Sequence, residues 1–162
     1  MSMEWNVDIF RKLQQEWALL TAGSAENCNA MTVNWGSFGT LWSKPVVTVY
    51  AKPVRHTHSF LCENDWFTLS FFGKEFREDL AHMGRVSGRD GDKFAGTALT
   101  PTAHGDAVVY PQAELTLVCR KLYQLDLARE GIPEDAVRVY YETEEPHTMF
   151  VGEVMEILKT QN

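Results

Sequence analysis

A chain of 162 residues, 44% hydrophobic and 12% aromatic, carries enough apolar surface for one substantial core and is too short to require two. Its formal charge of -7 excludes a general affinity for nucleic acid, which comes mainly from cations neutralising the phosphate backbone. No apolar run approaches the roughly 20 residues that cross a bilayer, and the amino end, with Glu4 and Asp8, lacks the plan of a secretion signal, so we expect a cytoplasmic protein of one domain, residues 1–162.

The first element is a short cover helix, capped by Asn6 or Asp8, in which Ile9, Phe10, Leu13 and Trp17 recur at helical spacing. From Trp17 to Thr21 the chain is continuously apolar and is stopped by Ala22-Gly23-Ser24, which suits a buried strand or a helix end. Asn29 to Val33 and Val46 to Tyr50 read as strands joined by a loop holding Gly36 and Gly39, the second strand being almost wholly β-branched or aromatic. Between Pro53 and Asn64 a helical turn places Phe60 and Leu61 inward. Trp66 to Phe72 is a further strand. Phe72, Phe76, Leu80 and Met83 then fall on one helical face, with Gly84 as the expected C-cap and Ser87 to Gly91 as a polar loop. Val108 to Tyr110, Ala113 to Leu127 and Thr148 to Leu158 complete the strands.

Many strands, few helices and no strand-helix-strand alternation predict a mainly β fold closed into an antiparallel barrel. Cys28, Cys62 and Cys119 are odd in number and widely spaced, so we read them as buried free thiols and not as a disulfide framework. His56-x-His58 with Cys62 nearby lacks a fourth ligand, and Asp90-Gly91-Asp92 lacks the acidic positions of a calcium loop, so no metal is expected. The chain has no Gly-x-Gly-x-x-Gly and no Walker loop.

Five segments resemble the flavin reductase, or flavoredoxin-like, family of FMN-binding split barrels. They are Asn29-Ala30-Met31-Thr32-Val33-Asn34-Trp35-Gly36; Lys44 to Tyr50 followed by Arg55-His56-Thr57; Ser70-Phe71-Phe72; Ser87-Gly88-Arg89-Asp90-Gly91-Asp92-Lys93; and His147 to Glu153. They follow the family's order over nearly the whole chain. The resemblance implies a split barrel of six antiparallel strands in Greek-key order with a few short helices. It also implies a homodimer with FMN near the subunit interface, reduced NAD(P)H as donor, and an acceptor such as a partner monooxygenase.

FMN brings a dianionic phosphate and a flat ring whose pyrimidine edge gains negative charge on reduction. The phosphate needs convergent, preferably cationic donors, and Arg55, Thr57, Ser87, the backbone at Gly88, Arg89 and Lys93 can supply them, with His56 beside them. For the ring, Met31, Thr32, Val33, Asn34 and Trp35 offer amides and side-chain dipoles where a strand meets a loop. Thr32 and Asn34 equally suit local turns, and Trp35 and Trp42 equally suit core or dimer contacts. The resemblance puts Ser70 and Phe71 beside the flavin, although Phe71 also reads as plain core. It makes His147 a donor-orienting or proton-relaying residue, the alternative being an exposed loop histidine. Here Glu144-Glu145-Pro146-His147 replaces the family's Gly-Asp-His pattern, and residues 130–145 find no counterpart. Three functions stay open: an NAD(P)H:flavin reductase, a flavoredoxin-like electron carrier or ferric-chelate reductase, and a non-enzymatic flavin-binding protein.

Overall fold

The computed structural model describes residues 3–160. Its strands are β1 (Ala18–Gly23), β2 (Cys28–Val33), β3 (Gly36–Leu41), β4 (Lys44–Ala51), β5 (Trp66–Phe71), β6 (Thr102–His104), β7 (Ala107–Val109), β8 (Leu115–Asp126) and β9 (Thr148–Lys159). Seven of them form one sheet in the order β2-β1-β5-β8-β9-β4-β3, with every pairing antiparallel, and β6 and β7 form a separate hairpin. The main sheet thus has one strand more than the expected six. The extra strand is β3, which folds back on β4 from Gly36 opposite Val49 to Leu41 opposite Lys44.

The chain itself shows that this sheet closes. β2 and β3 stand at opposite ends of the strand order, yet only Asn34 and Trp35 separate them in sequence. Seven strands laid flat would span roughly 29 Å from first to last, whereas three residue steps reach only about 11 Å. The sheet must therefore curl until its edges meet, giving the split barrel.

Side-chain alternation fills the barrel. On β4, Val47, Val49 and Ala51 point into a core shared with Leu20, Met31, Leu69 and Phe150, while Thr48 and Tyr50 point out. β1 is buried on both faces: Leu20 looks inward, and Leu19 joins Ala30, Phe72 and Tyr110 in a second apolar cluster beneath α3 (Arg77–Arg85), which contributes Leu80 and Met83. A Thr21 to Tyr110 hydrogen bond of 2.8 Å ties the two layers.

The helices differ in detail from expectation. The first is a single turn, α1 (Ile9–Arg11), capped by the Asp8 carboxylate and continued by a π turn over Lys12–Glu16 that stops where Trp17 takes φ 66°. The segment after Phe72 winds as a 3-10 turn (Lys74–Phe76) before α3, and α3 runs through Gly84 to end on the extended Val86. Gly84 is therefore not the C-cap. It serves a close approach instead, since a Cβ there would lie 3.2 Å from Cβ of Thr32 on β2. α2 (His56–Glu63) buries Leu61 and packs Phe60 on the barrel core, as the apolar spacing required.

The cysteines divide by environment: Cys119 is buried, Cys28 half-buried and Cys62 exposed, so the expectation of three buried thiols fails at Cys62. That residue sits on the outer side of α2, its Sγ 3.7 Å from Nδ1 of His58. Among the described residues no helix is long and apolar enough to cross a membrane.

Candidate functional site

A cleft of about 400 Å³ opens where the end of β2 meets the end of β4. It gathers Met31, Thr32, Val33, Asn34, Trp35, Arg55 and His147, all singled out from sequence, together with Tyr50, Lys52, Tyr140 and Glu144, which were not. The strand-to-loop transition after Val33 explains the polar wall. Once pairing with β1 ends at Val33, the backbone of Asn34 and Trp35 is released from the ladder and stays available to a ligand.

One end of the cleft is cationic. Arg55, the N-cap residue of α2, lines this end. Arg55 Nη2 donates to the carbonyl of Gly84 at 3.3 Å. Lys93 is almost wholly buried, 4% exposed, and donates from Nζ to the carbonyl of Ala30 on β2 at 2.6 Å. Burial, then the nearby Arg55 charge, push its ammonium down to about 8. Burial also lowers Arg55. Among the described residues neither cation is paired with a carboxylate within salt-bridge distance. Arg55 at the amino end of α2, with Lys93 near enough to feel its charge, makes this end of the cleft electropositive.

Lys93 does not itself line the cleft, and the other predicted phosphate residues likewise surround this end without lining it. Thr57, buried in the first turn of α2, accepts from Asn29 Nδ2 at 2.6 Å. Ser87 caps the 3-10 turn over Gly88–Asp90 by accepting the Arg89 amide. A Cβ on Gly88 would collide with the Asn29 side chain and lie 2.9 Å from Cδ2 of His56, so that loop packs directly on α2. Arg89 Nη1 donates to the carbonyl of Val54 at 2.6 Å.

Ser70 and Phe71 lie elsewhere. The Ser70 hydroxyl pairs with Thr116 at 3.0 Å on the outer side of β5, and Phe71 is fully buried in the barrel core. Trp42 also lies apart, at the tip of the β3–β4 hairpin, 62% exposed and edge-on to Tyr123.

The opposite end of the cleft is aromatic. Trp35 lies edge-on to Tyr140 at 5.0 Å and tilted to His147 at 5.1 Å. His147 Nδ1 shares a 2.6 Å hydrogen bond with the hydroxyl of the buried Tyr141. Burial, followed by the Lys52 charge, pushes the imidazole down to about 4, so it is neutral near pH 7. Lys52 donates to the Tyr140 carbonyl at 2.9 Å and to the Glu144 carboxylate at 2.6 Å, and that bond holds Glu144 below the usual carboxylate range. Arg129 grips the same loop through the carbonyls of Tyr141 and Glu144.

The segment without a counterpart in sequence is thus the aromatic wall. It forms α4 (Glu134–Tyr140), which buries no residue and carries Glu134, Asp135 and Arg138. No apolar stripe marked it. Tyr50 could have been found, because it alternates with the inward Val49 and Ala51 and must face outward.

A family model described as flavin reductase like domain matches residues 10–162. No curated protein matches the chain. Among solved structures, flavoredoxin from Methanosarcina acetivorans superposes with a TM-score of 0.73 at 20% identity, covering 99% of this chain and 75% of that one. An FMN-binding protein from Thermus thermophilus gives 0.71 at 18%, covering 100% and 81%. An NADH:FAD oxidoreductase from Streptomyces globisporus gives 0.68 at 18%, covering 90% and 75%.

Proposed function

Because the chain belongs to the flavin reductase-like domain family, we propose that its cleft binds FMN and that the protein is an NAD(P)H-dependent flavin oxidoreductase. The observation that carries this is the pair of cations without a salt-bridge partner, Arg55 and Lys93, beside a cleft walled by released backbone. Arg55 and the amino end of α2 hold the phosphate, with Lys93 adding charge from beneath. The backbone from Met31 to Trp35 addresses the polar edge of the ring, where fixed dipoles favour the added negative charge. Bound flavin supplies the redox chemistry, accepting two electrons from a nicotinamide and passing them on. His147, neutral and anchored by Tyr141, orients a second ligand at the aromatic end and adds no positive charge there. Exposed Trp42, Tyr123 and Leu125 at the β3–β4 hairpin and on β8 suit a contact between two copies of the chain, making a homodimer.

The absorption spectrum of the protein as isolated, followed by NADH and NADPH oxidation with and without added FMN, tests this reading. Flavin-dependent nucleotide oxidation supports the reductase. A yellow protein inert to both nucleotides moves the assignment to an electron carrier, and a chain with no flavin affinity overturns it.

The buried lysine gives a pH signature. Lys93 titrates near 8, below its ordinary value, so it is cationic at pH 7 and loses its charge as pH rises. FMN affinity is expected to fall between pH 7.5 and 9.5, while riboflavin, which lacks the phosphate, keeps a flat profile. Flavin fluorescence titrations across that range decide the matter, and parallel profiles would remove Lys93 from the anion site.

A further inference from the structure

His56, His58 and Cys62 stand close in sequence, and α2 sorts them. The ring of His56 turns to Phe60, 5.2 Å away, whereas His58 and Cys62, one turn apart, lie on one face of the helix. The exposed Cys62 has its Sγ 3.7 Å from Nδ1 of His58. Neither residue lines the cleft.

Hydrogen bonding decides which nitrogen of His58 carries the proton. The buried Thr148 hydroxyl donates to the Asp126 carboxylate at 2.7 Å. Its single proton is thereby used, so toward His58 Nε2, 2.8 Å away, it can only accept. Nε2 therefore bears the hydrogen, and the lone pair of the neutral ring sits on Nδ1, the nitrogen beside the thiol. Burial, opposed by the Asp126 charge, lowers His58, so the ring is neutral near pH 7 and free to take a proton.

The sulfur has complementary surroundings. Gln124 Nε2 donates to Sγ at 3.5 Å. Lys121 Nζ donates to the carbonyls of Leu61 and Cys62, offsetting the negative end of α2 that would oppose a thiolate. Gln124 alternates with Tyr123 and Leu125 along β8, so the thiol lies across the strand from the side chains that suit a dimer contact. A nucleophile within reach of a base, with a third group orienting that base, is the signature of an activated nucleophile and more than an isolated thiol.

We propose that Cys62 is a reactive thiol for small hydroperoxides, with His58 as its base and with Thr148 and Asp126 as positioning residues. The thiol proton passes to Nδ1 and the sulfur attacks one peroxide oxygen. The S–O bond forms as the O–O bond breaks, and the leaving oxygen takes the proton back from Nδ1. Sulfur is oxidised by two electrons to the sulfenic acid, and the hydroperoxide is reduced to an alcohol or, from hydrogen peroxide, to water. None of these residues belongs to the proposed flavin site, so the proposal does not depend on that reading.

The test treats the full chain with hydrogen peroxide at pH 7, traps sulfenic acid with dimedone and reads each cysteine by peptide mass spectrometry. Cys62 is expected to react ahead of the half-buried Cys28, whose thiol burial pushes up to about 11, and of the buried Cys119. His58→Gln keeps an amide donor for Thr148 but removes the base, and slows Cys62 about tenfold at pH 7. That gap closes at pH 9.5, where hydroxide ionises a thiol unaided; a mere loss of access would persist there. Asp126 and Lys121, the charged groups that β8 presents to the pair, are the same in both proteins. Thr148→Val releases the tautomer, read from the nitrogen-15 shifts of the His58 ring, and Thr148→Ser restores it. Cys62 reacting no faster than Cys28, an unchanged rate in His58→Gln, or a gap that stays at pH 9.5 overturns the proposal.

Discussion

Replacing Arg55 with alanine is expected to weaken FMN binding by about 1.5 to 3 kcal/mol, roughly ten- to 150-fold, the usual loss when a charged hydrogen-bonding partner is removed. The residue concentrates three properties at one point: it is the N-cap of α2, it lines the cleft, and it lies close enough to lower Lys93. Arg55→Lys keeps the charge but replaces a planar fork by a single point donor, so a smaller loss is expected there. Fluorescence titration with FMN and with riboflavin isolates the phosphate contribution. A true anion contact costs FMN affinity and spares riboflavin. Equal losses for both would mean that Arg55 acts through the Gly84 carbonyl it holds, as a brace for α3, and not through the ligand.

The second large effect concerns the barrel wall. Gly152 on β9 lies opposite Val47 of β4 and Lys121 of β8, and a Cβ there would fall 2.5 Å from Cζ of Phe67, 2.6 Å from its Cε1 and 2.9 Å from Cβ of Cys119. Phe67 is 2% exposed and Cys119 wholly buried, so neither can withdraw. Gly152→Ala is expected to cost about 1 to 3 kcal/mol by overpacking, lowering the melting temperature by roughly 3 to 10 °C in a chain of this size. Calorimetric melting checks the drop. Phe67→Leu in the alanine background should recover part of it, and strict additivity of the two changes would exclude the clash as its cause.

What could be read from the sequence follows from how each segment earns its shape. Val46 to Tyr50 declared a strand because β-branched and aromatic side chains fit a pleated, half-buried surface, and the structure has β4 there. Leu80 and Met83 declared a helix face because their spacing closes one stripe over a core, and both are buried in α3. The C-cap at Gly84 misled because glycine serves two purposes, turning and close approach, and only the packing against Thr32 reveals which one applies. Residues 134–140 were opaque for a related reason. Their helix buries nothing, so its apolar pattern is weak, and its position is set by grips from Lys52 and Arg129 that no local rule encodes. Lys93 could be nominated as a donor from its residue type, but its burial came only with the tertiary structure.

The seam between β2 and β3 has a consequence for the life of the protein. No disulfide staples the barrel, whose two edges are joined only by the Asn34–Trp35 backbone, and the pairing of β4 with β9 joins stretches about a hundred residues apart, which makes assembly slow. Those same two linker residues line the cleft, so an occupant of the cleft touches the link between the barrel's two edges. At a hundred times its dissociation constant such an occupant adds about 2.7 kcal/mol to the folded state. On the proposed flavin reading, added FMN is therefore expected to lengthen the lifetime of the chain under limited proteolysis.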